Sequence, residues 1–470
     1  MELSIDRSAR IPLAEQIRQR IAAAIESGAL EPGARLPSWQ DLAAQLGVAR
    51  GTVRTAYERL DAAQLIVASR AAGTLVAQRP RARARARARE AQRADPGSFL
   101  ETYQEMTQGP AFFQMGVPAA ETLPKTLLAR IRAHAIRAEI GAAPIYPDPR
   151  GEPGLRQEIA GYLAVARGID CSPSQIIITG GYGAGLGLAL RALGLEGQKA
   201  WIEDPGFPFA RKGLELARMS VAPIPVDAGG IDIDHGLRHA PDAKLAVVTP
   251  GQQAPLGPTL TLERRLKLLD WAAASGAWIV EDDYLSELQL TGRAAPALAS
   301  LDRAGRVIHI GSFSKTITPA LRLGFIVVPA GLMATFAEAA ACLAPPPGPA
   351  VQLAIARFMQ EGHYLRHLRR TKRAYAAKRD DLLTQLRRHF DADHLIATGL
   401  AVLLRLPDGA PDLAMAREAL AFGMFPAPLS AWYASARGRR SGLLLGVATS
   451  PARELARSCD RLADIVKRFV

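Results

Sequence analysis

Cysteine is scarce in this chain of 470 residues: Cys171, Cys342 and Cys459 are odd in number, far apart and without metal-ligand spacing. That excludes a disulfide framework and offers no zinc site, so the sequence predicts three ordinary reduced thiols and no bound metal. Long apolar runs are missing too. No uninterrupted stretch reaches the ~18 residues that a membrane helix needs. The start, MELSIDRSAR, lacks the basic-then-apolar pattern of a secretory leader. The expectation is a cytoplasmic protein with no membrane partner. Acid is in deficit, with 45 Asp and Glu against 58 Lys and Arg for a net charge of +13. Such an excess suits a polyanionic partner, because clustered cations gain affinity for phosphates by releasing counterions. With 49% hydrophobic residues the chain can build a large core and more than one domain.

Residues 10 to 65 read as three short helices. The first, PLAEQIRQRIAAAIESG, meets a stop at Gly28; Ser38 is placed to cap WQDLAAQLG, which ends at Gly47. VARGTVRTAYERLDAAQ follows, with Val53, Ala56, Tyr57 and Leu60 on one helical face. Two helices joined by a tight glycine-containing turn form a helix-turn-helix. The alternation in IVASRAAGTLVA, residues 66 to 77, predicts a hairpin that would serve as a wing. Residues 1–78 thus form a mainly α winged helix-turn-helix, and double-stranded DNA is the expected polyanion. From 79 to 110 the composition shifts, with Arg79, Arg81, Arg83, Arg85, Arg87, Arg89 and Arg93 in one low-complexity run. It reads as a linker, either a solvated tether or a basic arm that also touches the DNA backbone.

Beyond the linker, apolar strands alternate with helical runs: QIIIT then GAGLGLALRAL, KAWIED then PFARKGLELA, KLAVVTP then LERRLKLLDWAAASG, followed by AWIVEDD, RVIHIGSFSK and LGFIVVP. That order predicts an α/β domain over 111–470 with a mainly parallel sheet, in a large lobe of about 140–345. A smaller α+β lobe, about 346–470, carries the strand candidates LAVLLRL and GLLLGVA. Ligands belong at the carboxyl ends of the parallel strands. There the sequence places Glu281, Asp282, Asp283 and Tyr284 after one strand, GSFSK ending in Lys315 after another, and Arg322 shortly beyond. A lysine beside a carboxylate, a phenol, hydroxyls and an arginine is what a pyridoxal phosphate site requires: amine for the Schiff base, acid for the pyridine nitrogen, cation and hydroxyls for the phosphate. Taken singly, the plainer readings prevail, with Asp282 and Asp283 a helix cap, Lys315 a surface lysine and Arg322 an ion-pair partner; their ordered recurrence at strand ends reverses that.

The chain resembles the MocR subgroup of GntR-type transcriptional regulators along nearly its whole length. PLAEQI, ALEPGARLPS, LAAQLGVARGTV, AYERL and GTLV are similar to the GntR winged helix. YPDPRGEPGLRQEIAGYL, EDPGF, TPGQQAPLG, EDDY, GSFSKTITPALRLG and GHYLRHLRR are similar to the fold type I aminotransferase-like domain of that subgroup. The resemblance implies pyridoxal 5'-phosphate held by Lys315, with Asp282 at the ring nitrogen, Tyr284 at the phenolic oxygen and Phe207 stacked on the ring. It places Gly181, Tyr182, Gly183, Ser312, Ser314 and Arg322 around the phosphate, the glycines at a helix start where free N–H groups favour an anion. Core packing for Phe207 and tight helix–sheet packing for the glycines are the plainer alternatives. In the DNA-reading half it points to Ser38, Gln40, Arg50, Thr52 and Arg54, with Gly73 and Thr74 at the wing tip. Arg54 also reads as a solvent-facing helix arginine.

Three positions depart from the family pattern. Gln40 stands where an arginine usually meets DNA, and Ala254 replaces the tyrosine expected near the cofactor's phenolic oxygen. Leu444 aligns with the arginine that clamps a substrate α-carboxylate in aminotransferases. Gln40 removes one expected DNA contact and Ala254 weakens the expected hold on the cofactor, while the missing clamp at Leu444 takes the main anchor from an amino-acid effector and points to a regulator whose effector is pyridoxal phosphate itself, controlling vitamin B6 metabolism, or else an amino compound. A head-to-tail homodimer on paired half-sites is implied as well. The alternatives are an active aminotransferase with an accessory DNA-binding domain, and a scaffold that has lost its cofactor.

Overall fold

The computed structural model describes residues 5–7, 11–26, 28–63, 65–69, 73–77, 111–290, 292, 294–450 and 453–470. The arginine run and the rest of the expected linker lie outside them. The chain divides into two compact units, Met1–Tyr103 and Gln104–Val470.

In the first unit, α1 (Leu13–Glu26), α2 (Trp39–Leu46) and α3 (Arg50–Ala62) precede a hairpin of β1 (Ile66–Ser69) and β2 (Gly73–Val76). Ser38 caps α2 by accepting the Asp41 N–H, and Gly47 closes it in the left-handed region at φ +63°, where glycine avoids a Cβ clash. Ile17, Ile21, Leu42, Val53, Ala56 and Leu60 bury one face of each helix against Ile66 and Val76. The Tyr57 hydroxyl donates to Pro37 O at 2.8 Å, which fixes the turn before α2. The segment 34–36 joins the hairpin edge: Leu36 N donates to Thr74 O and Val76 N to Ala34 O, both at 2.9 Å.

The second unit is built on an eight-stranded sheet. Its strands are β3 (Ile176–Thr179), β4 (Lys199–Asp204), β5 (Ser220–Asp227), β6 (Gly230–Ile231), β7 (Leu245–Val248), β8 (Trp278–Asp283), β9 (Val307–Ser312) and β10 (Gly324–Val327). They lie in the order β3-β10-β9-β8-β7-β4-β5-β6. The run β5, β4, β7, β8, β9 is parallel, whereas β10 is antiparallel to both neighbours. Strand alternation divides the core. Ile177 packs with Leu186, Val280 and Ile308 on one face, and Ile176 and Ile178 turn to the other with Phe313 and Phe325.

β5 and β6 extend the sheet beyond the strands read from the sequence. SVAPIPVD contains Pro223 and Pro225, which lack the N–H a central strand must donate. They are tolerated because β6 pairs only with Val226 and Asp227, leaving the outer side of the prolines without a strand partner.

The C-terminal lobe has an antiparallel sheet of β11 (Leu395–Thr398), β12 (Ala401–Arg405), β13 (Ala427–Pro428) and β14 (Gly442–Gly446), ordered β11-β12-β14-β13. The stretch that opens the described part of this unit is stitched into that lobe: Phe112 N donates to Gly423 O (3.0 Å), Phe425 N to Phe112 O (2.7 Å) and Gly446 N to Phe113 O (2.7 Å). Among the described residues no helix is long and apolar enough to cross a membrane.

Candidate cofactor site and DNA-reading face

The register of the parallel strands sets the site. Glu281 pairs with His309, Asp282 with Ile310 and Asp283 with Gly311, so Asp282 points to one face of the sheet and its two acidic neighbours to the other. Asp282 is 7% exposed. Burial, reinforced by Asp283 and Glu203, pushes its carboxyl well above the usual range, and Lys315 pulls against that. The Tyr182 phenol, at the start of the helix that follows β3, lies close enough to perturb this acid. Its buried oxygen nevertheless makes no hydrogen bond of good geometry.

The Lys315 amine donates to Gly116 O at 2.8 Å. Burial lowers its proton affinity, partly offset by Asp282. Gly116 has φ +73°, and a Cβ there would run into Lys315 Nζ, so the close approach requires glycine. Burial raises the proton affinity of the Tyr284 phenol.

At the end of β3 the chain passes through Gly181, φ 97°, which caps the helix Tyr182–Ala192 with no side-chain hydrogen bond. A Cβ at Gly181 or Gly183 would meet open space. Ser312 Oγ donates to Ser314 Oγ (3.0 Å) and accepts the Ser314 N–H (3.2 Å). Arg322 holds φ 48° just before β10; its guanidinium is solvent-exposed and engages no described residue. Gly324 pairs with both Thr179 and Ser312, and a Cβ on it would meet Gly181 Cα at 3.0 Å. The glycine turn and the serine pair therefore flank one strand.

Phe207 stands where β4 gives way to a helix, its ring centroid 6.0 Å from those of Tyr182 and Trp432. Ala254 is 5% exposed; its N–H donates to Thr249 Oγ1 at 3.1 Å. Together these groups complement a flat ring with a protonated nitrogen, a reactive carbonyl and a phosphate: one amine, one buried acid, a phenol, an orphaned hydroxyl, and an uncapped helix start with two hydroxyls and an uncommitted guanidinium. The residues present fit pyridoxal phosphate.

On the small unit, Gln40 and Arg50 are exposed and Thr52 is half-buried. Arg50 makes no side-chain bond to a described residue. Arg54 pairs with Glu58 at 2.9 Å in solvent. The Ser38 hydroxyl is engaged in its own cap, donating to Asp41 Oδ2 at 2.7 Å. Gly73 takes φ +79° at the hairpin, and a Cβ there would touch the Arg35 guanidinium at 3.3 Å; Thr74 follows in β2. Helix α3 is preceded at its N-cap by Ala49, which offers no side-chain cap, and has no acid in its first turn.

The family described as bacterial regulatory proteins, gntR family, matches residues 13–76, and aminotransferase class I and II matches 113–439. A probable rhizopine catabolism regulatory protein MocR from Rhizobium meliloti is 34% identical over 440 residues, covering 91% of this chain and 88% of that protein. The chain belongs to the MocR subfamily of GntR-type transcriptional regulators. An HTH-type pyridoxine biosynthesis transcriptional regulator, PdxR, from Corynebacterium glutamicum is 32% identical over 369 residues, 78% of this chain and 76% of its own. Among solved structures, a Pyrococcus horikoshii kynurenine aminotransferase aligns with TM-score 0.71 at 24% identity, over 81% of this chain and 96% of that one. It shows that the large unit has the fold type I aminotransferase architecture, with the winged helix-turn-helix as an N-terminal addition.

Several groups around this MocR-type site were not legible as candidates in the sequence. Glu203, in EDPGF, accepts Thr249 N (3.0 Å), Thr249 Oγ1 (2.5 Å) and, weakly, Gln253 Nε2 (3.3 Å); burial raises it to about 7. Its place in a motif already singled out was the available signal.

On the far face of the sheet, Arg167 donates to Asp283 Oδ2 at 2.7 Å, and His309 bonds Glu281 through Nδ1 at 3.0 Å. Burial works against a charged His309 ring, but Glu281 and Asp283 raise its proton affinity above the ordinary value. Nothing local in the sequence joins these residues. Gly116 was missed for the same reason, its partner lying 199 residues away. Arg35 was legible only as a basic residue within ALEPGARLPS.

Proposed function

We propose that this MocR-type regulator binds pyridoxal phosphate at the strand-end site and that occupancy of the site by the cofactor is the signal, with control of vitamin B6 synthesis or salvage as the output. The observation that carries the reading is the Lys315 amine facing the buried Asp282 carboxyl beside an uncapped helix start. When bound, the cofactor supplies a carbonyl carbon that bonds an amine and a ring that withdraws electrons from it. Asp282, on the cofactor face of β8, holds the proton at the ring nitrogen. Tyr284 donates its phenol proton to the ring oxygen, a contact that Ala254 does not reinforce. Phe207 covers the ring, and Gly181, Tyr182 and Gly183 offer backbone N–H groups to the phosphate beside Ser312, Ser314 and Arg322.

Cofactor rather than amino acid as signal is supported by Leu444, fully buried in β14 where the family resemblance places a carboxylate clamp. The relative named for pyridoxine biosynthesis supports the same output. An amino compound is the other effector class compatible with the site. In the DNA-reading unit, Arg50 and Arg54 on α3, Gln40 on α2 and the Gly73–Thr74 wing face the duplex, with Arg35 beside the wing.

The working form is a cytoplasmic head-to-tail homodimer on paired half-sites. Tyr146 at 98% exposure, Ile145 at 79% and Ile140 at 78% are apolar groups that a partner subunit would cover. A second reading, a working aminotransferase with an accessory DNA-binding domain, is favoured by the complete Lys315, Asp282 and Tyr284 set. Leu444 opposes it by leaving the substrate unanchored.

The deciding measurement is the visible spectrum during titration with pyridoxal phosphate, beside Lys315→Ala, followed by DNA binding with and without the cofactor. A saturable band absent from the variant, with a cofactor-dependent change in DNA affinity, is the expected result. A cofactor-loaded protein that turns over amino acids steadily without altering DNA binding would replace this reading with the enzymatic one.

A further inference from the structure

The motif GHYLRHLRR, Gly362 to Arg370, opens the helix His363–Leu386 and stands outside the cofactor contacts assigned above. Tyr364, His367, Thr371 and Tyr375 recur every three or four residues, so they share one face of that helix, and all are buried. Two of them converge on Thr316, the residue directly after Lys315 and itself 1% exposed. His367 Nε2 donates to Thr316 O at 2.6 Å, and the Tyr364 hydroxyl donates to Thr316 Oγ1 at 3.3 Å. A carbonyl oxygen only accepts, so the His367 proton sits on Nε2. Burial disfavours a second proton on the ring. Tyr364 is held in turn by Tyr162 and Phe313, whose rings meet it nearly edge-on at 5.5 and 5.7 Å.

The same helix holds the other side of the amine. The Tyr375 hydroxyl accepts the Ala119 N–H at 2.8 Å, and the Arg370 guanidinium donates to Thr122 O. Ala119 and Thr122 follow Gly116 closely in the chain, and Gly116 O accepts Lys315 Nζ. One helix therefore fixes both the backbone that carries the lysine and the stretch that receives its amine. Lysine has a long flexible stem, so the place of its nitrogen depends on how firmly its backbone is anchored.

We propose that His367 and Tyr364 are positioning residues for Lys315: by holding the carbonyl and the hydroxyl of Thr316, they aim the lysine amine at the carbonyl carbon of pyridoxal phosphate. The inference rests on the cofactor reading above and adds to it two residues that do not touch the ligand. The step they serve is a condensation. The amine nitrogen bonds the carbonyl carbon, and the carbonyl oxygen leaves as water with the two amine hydrogens. Misplacing a reacting atom by about 1 Å costs up to about 100-fold, whereas contacts to the ring and the phosphate do not depend on the lysine.

The test compares two ligands on the full-length protein. Pyridoxal phosphate can bond Lys315. Pyridoxine 5'-phosphate, with an alcohol in place of the carbonyl, cannot, so its affinity reads the ring and phosphate pocket alone. Both are titrated by calorimetry, and the first also by its visible band. His367→Phe and Tyr364→Phe each keep an aromatic ring and remove the donor. Affinity for pyridoxal phosphate is expected to fall about 10-fold in His367→Phe and about 3-fold in Tyr364→Phe, with slower growth of the band. Affinity for pyridoxine 5'-phosphate should stay within about 2-fold. His367→Gln, which brings an amide N–H to the place of Nε2, should recover most of the loss. Parallel losses for the two ligands would make these residues ordinary core and overturn the proposal, as would unaltered binding of pyridoxal phosphate or a His367→Gln no better than His367→Phe. If His367→Phe does not fold, Tyr364→Phe decides by the same comparison. A wild type without a visible band fails the cofactor reading, and this inference with it; a wild-type band with parallel losses in the variants sinks only the positioning role.

Discussion

The DNA-reading unit keeps its ion pairs at least partly in water, whereas the aminotransferase-like unit, besides exposed pairs of its own, seals some beneath its sheet. Arg54 and Glu58 pair at 2.9 Å with 68% and 60% of their side chains exposed. Arg167 and Asp283 pair at 2.7 Å with 2% and 4% exposed, next to the Glu281–His309 pair, both 1% exposed. The geometry of the two ion pairs is similar and their energetics are opposite. An exposed pair is worth little because water solvates either partner alone. A buried pair contributes little net stability, yet breaking it strands a charge without solvent. Reading a polyanion calls for cations that can exchange water and counterions for phosphates. Binding a small cofactor calls for groups already fixed in place.

Substitution of Arg167 should have the largest effect. Arg167→Ala takes away the guanidinium that donates to the buried Asp283 carboxylate, and loss of about 3–5 kcal/mol is expected, seen as an earlier denaturation transition of the large unit. A loss below ~1 kcal/mol would show that water reaches this face of the sheet and would dissolve the contrast.

Glu203 comes next. Its pKa of about 7 in the folded protein lies above the ordinary 4.5, so the folded chain holds a proton that the unfolded chain has released. Stability therefore falls as pH rises from about 4.5 to 7 and levels off above. Glu203→Gln should remove that decline and gain on the order of 2 kcal/mol over the wild type at pH 8, with little difference at pH 4. Denaturant titrations at several pH values would show it, and a parallel pH dependence in the two proteins would refute it.

Arg50→Ala should cost a few-fold in DNA affinity and flatten the logarithmic salt slope by about 1, with unchanged folding. Removing residues 79–93 should flatten it further if that arm meets the backbone, and leave it unaltered if it is only a tether. The smallest effect is on stability at Arg54: Arg54→Ala should shift it by less than about 0.5 kcal/mol.

Where the signal was local, the sequence was a good guide. The Ser38 cap and the Gly47 stop bound α2 as their chemistry requires, and continuous apolar runs such as WIVEDD and VIHIGS became the central strands β8 and β9. The polar residues after those runs are the ones that gather at the strand ends. What stayed illegible depends on partners distant in the chain. Arg167 and Asp283 are 116 residues apart; EDDY holds Asp283, but Arg167 lies in no motif that announces its partner. β11 was hidden because half of LIAT is only partly covered, and β13 because two residues carry no periodicity. Which way Leu444 points followed from the register of β14, a property of the sheet and not of GLLLG itself.

The hydrogen bond from Gly446 to Phe113 has a consequence for how the protein comes into being. It ties the leading described stretch of the large unit to the last strand of its sheet. On a ribosome, where chains emerge from the N-terminus, Phe113 must wait for nearly the whole remaining polypeptide before its partner exists. The DNA-reading unit closes its core between Ile17 and Val76 and has no such wait. The DNA-reading unit is thus complete while the larger unit is still being made.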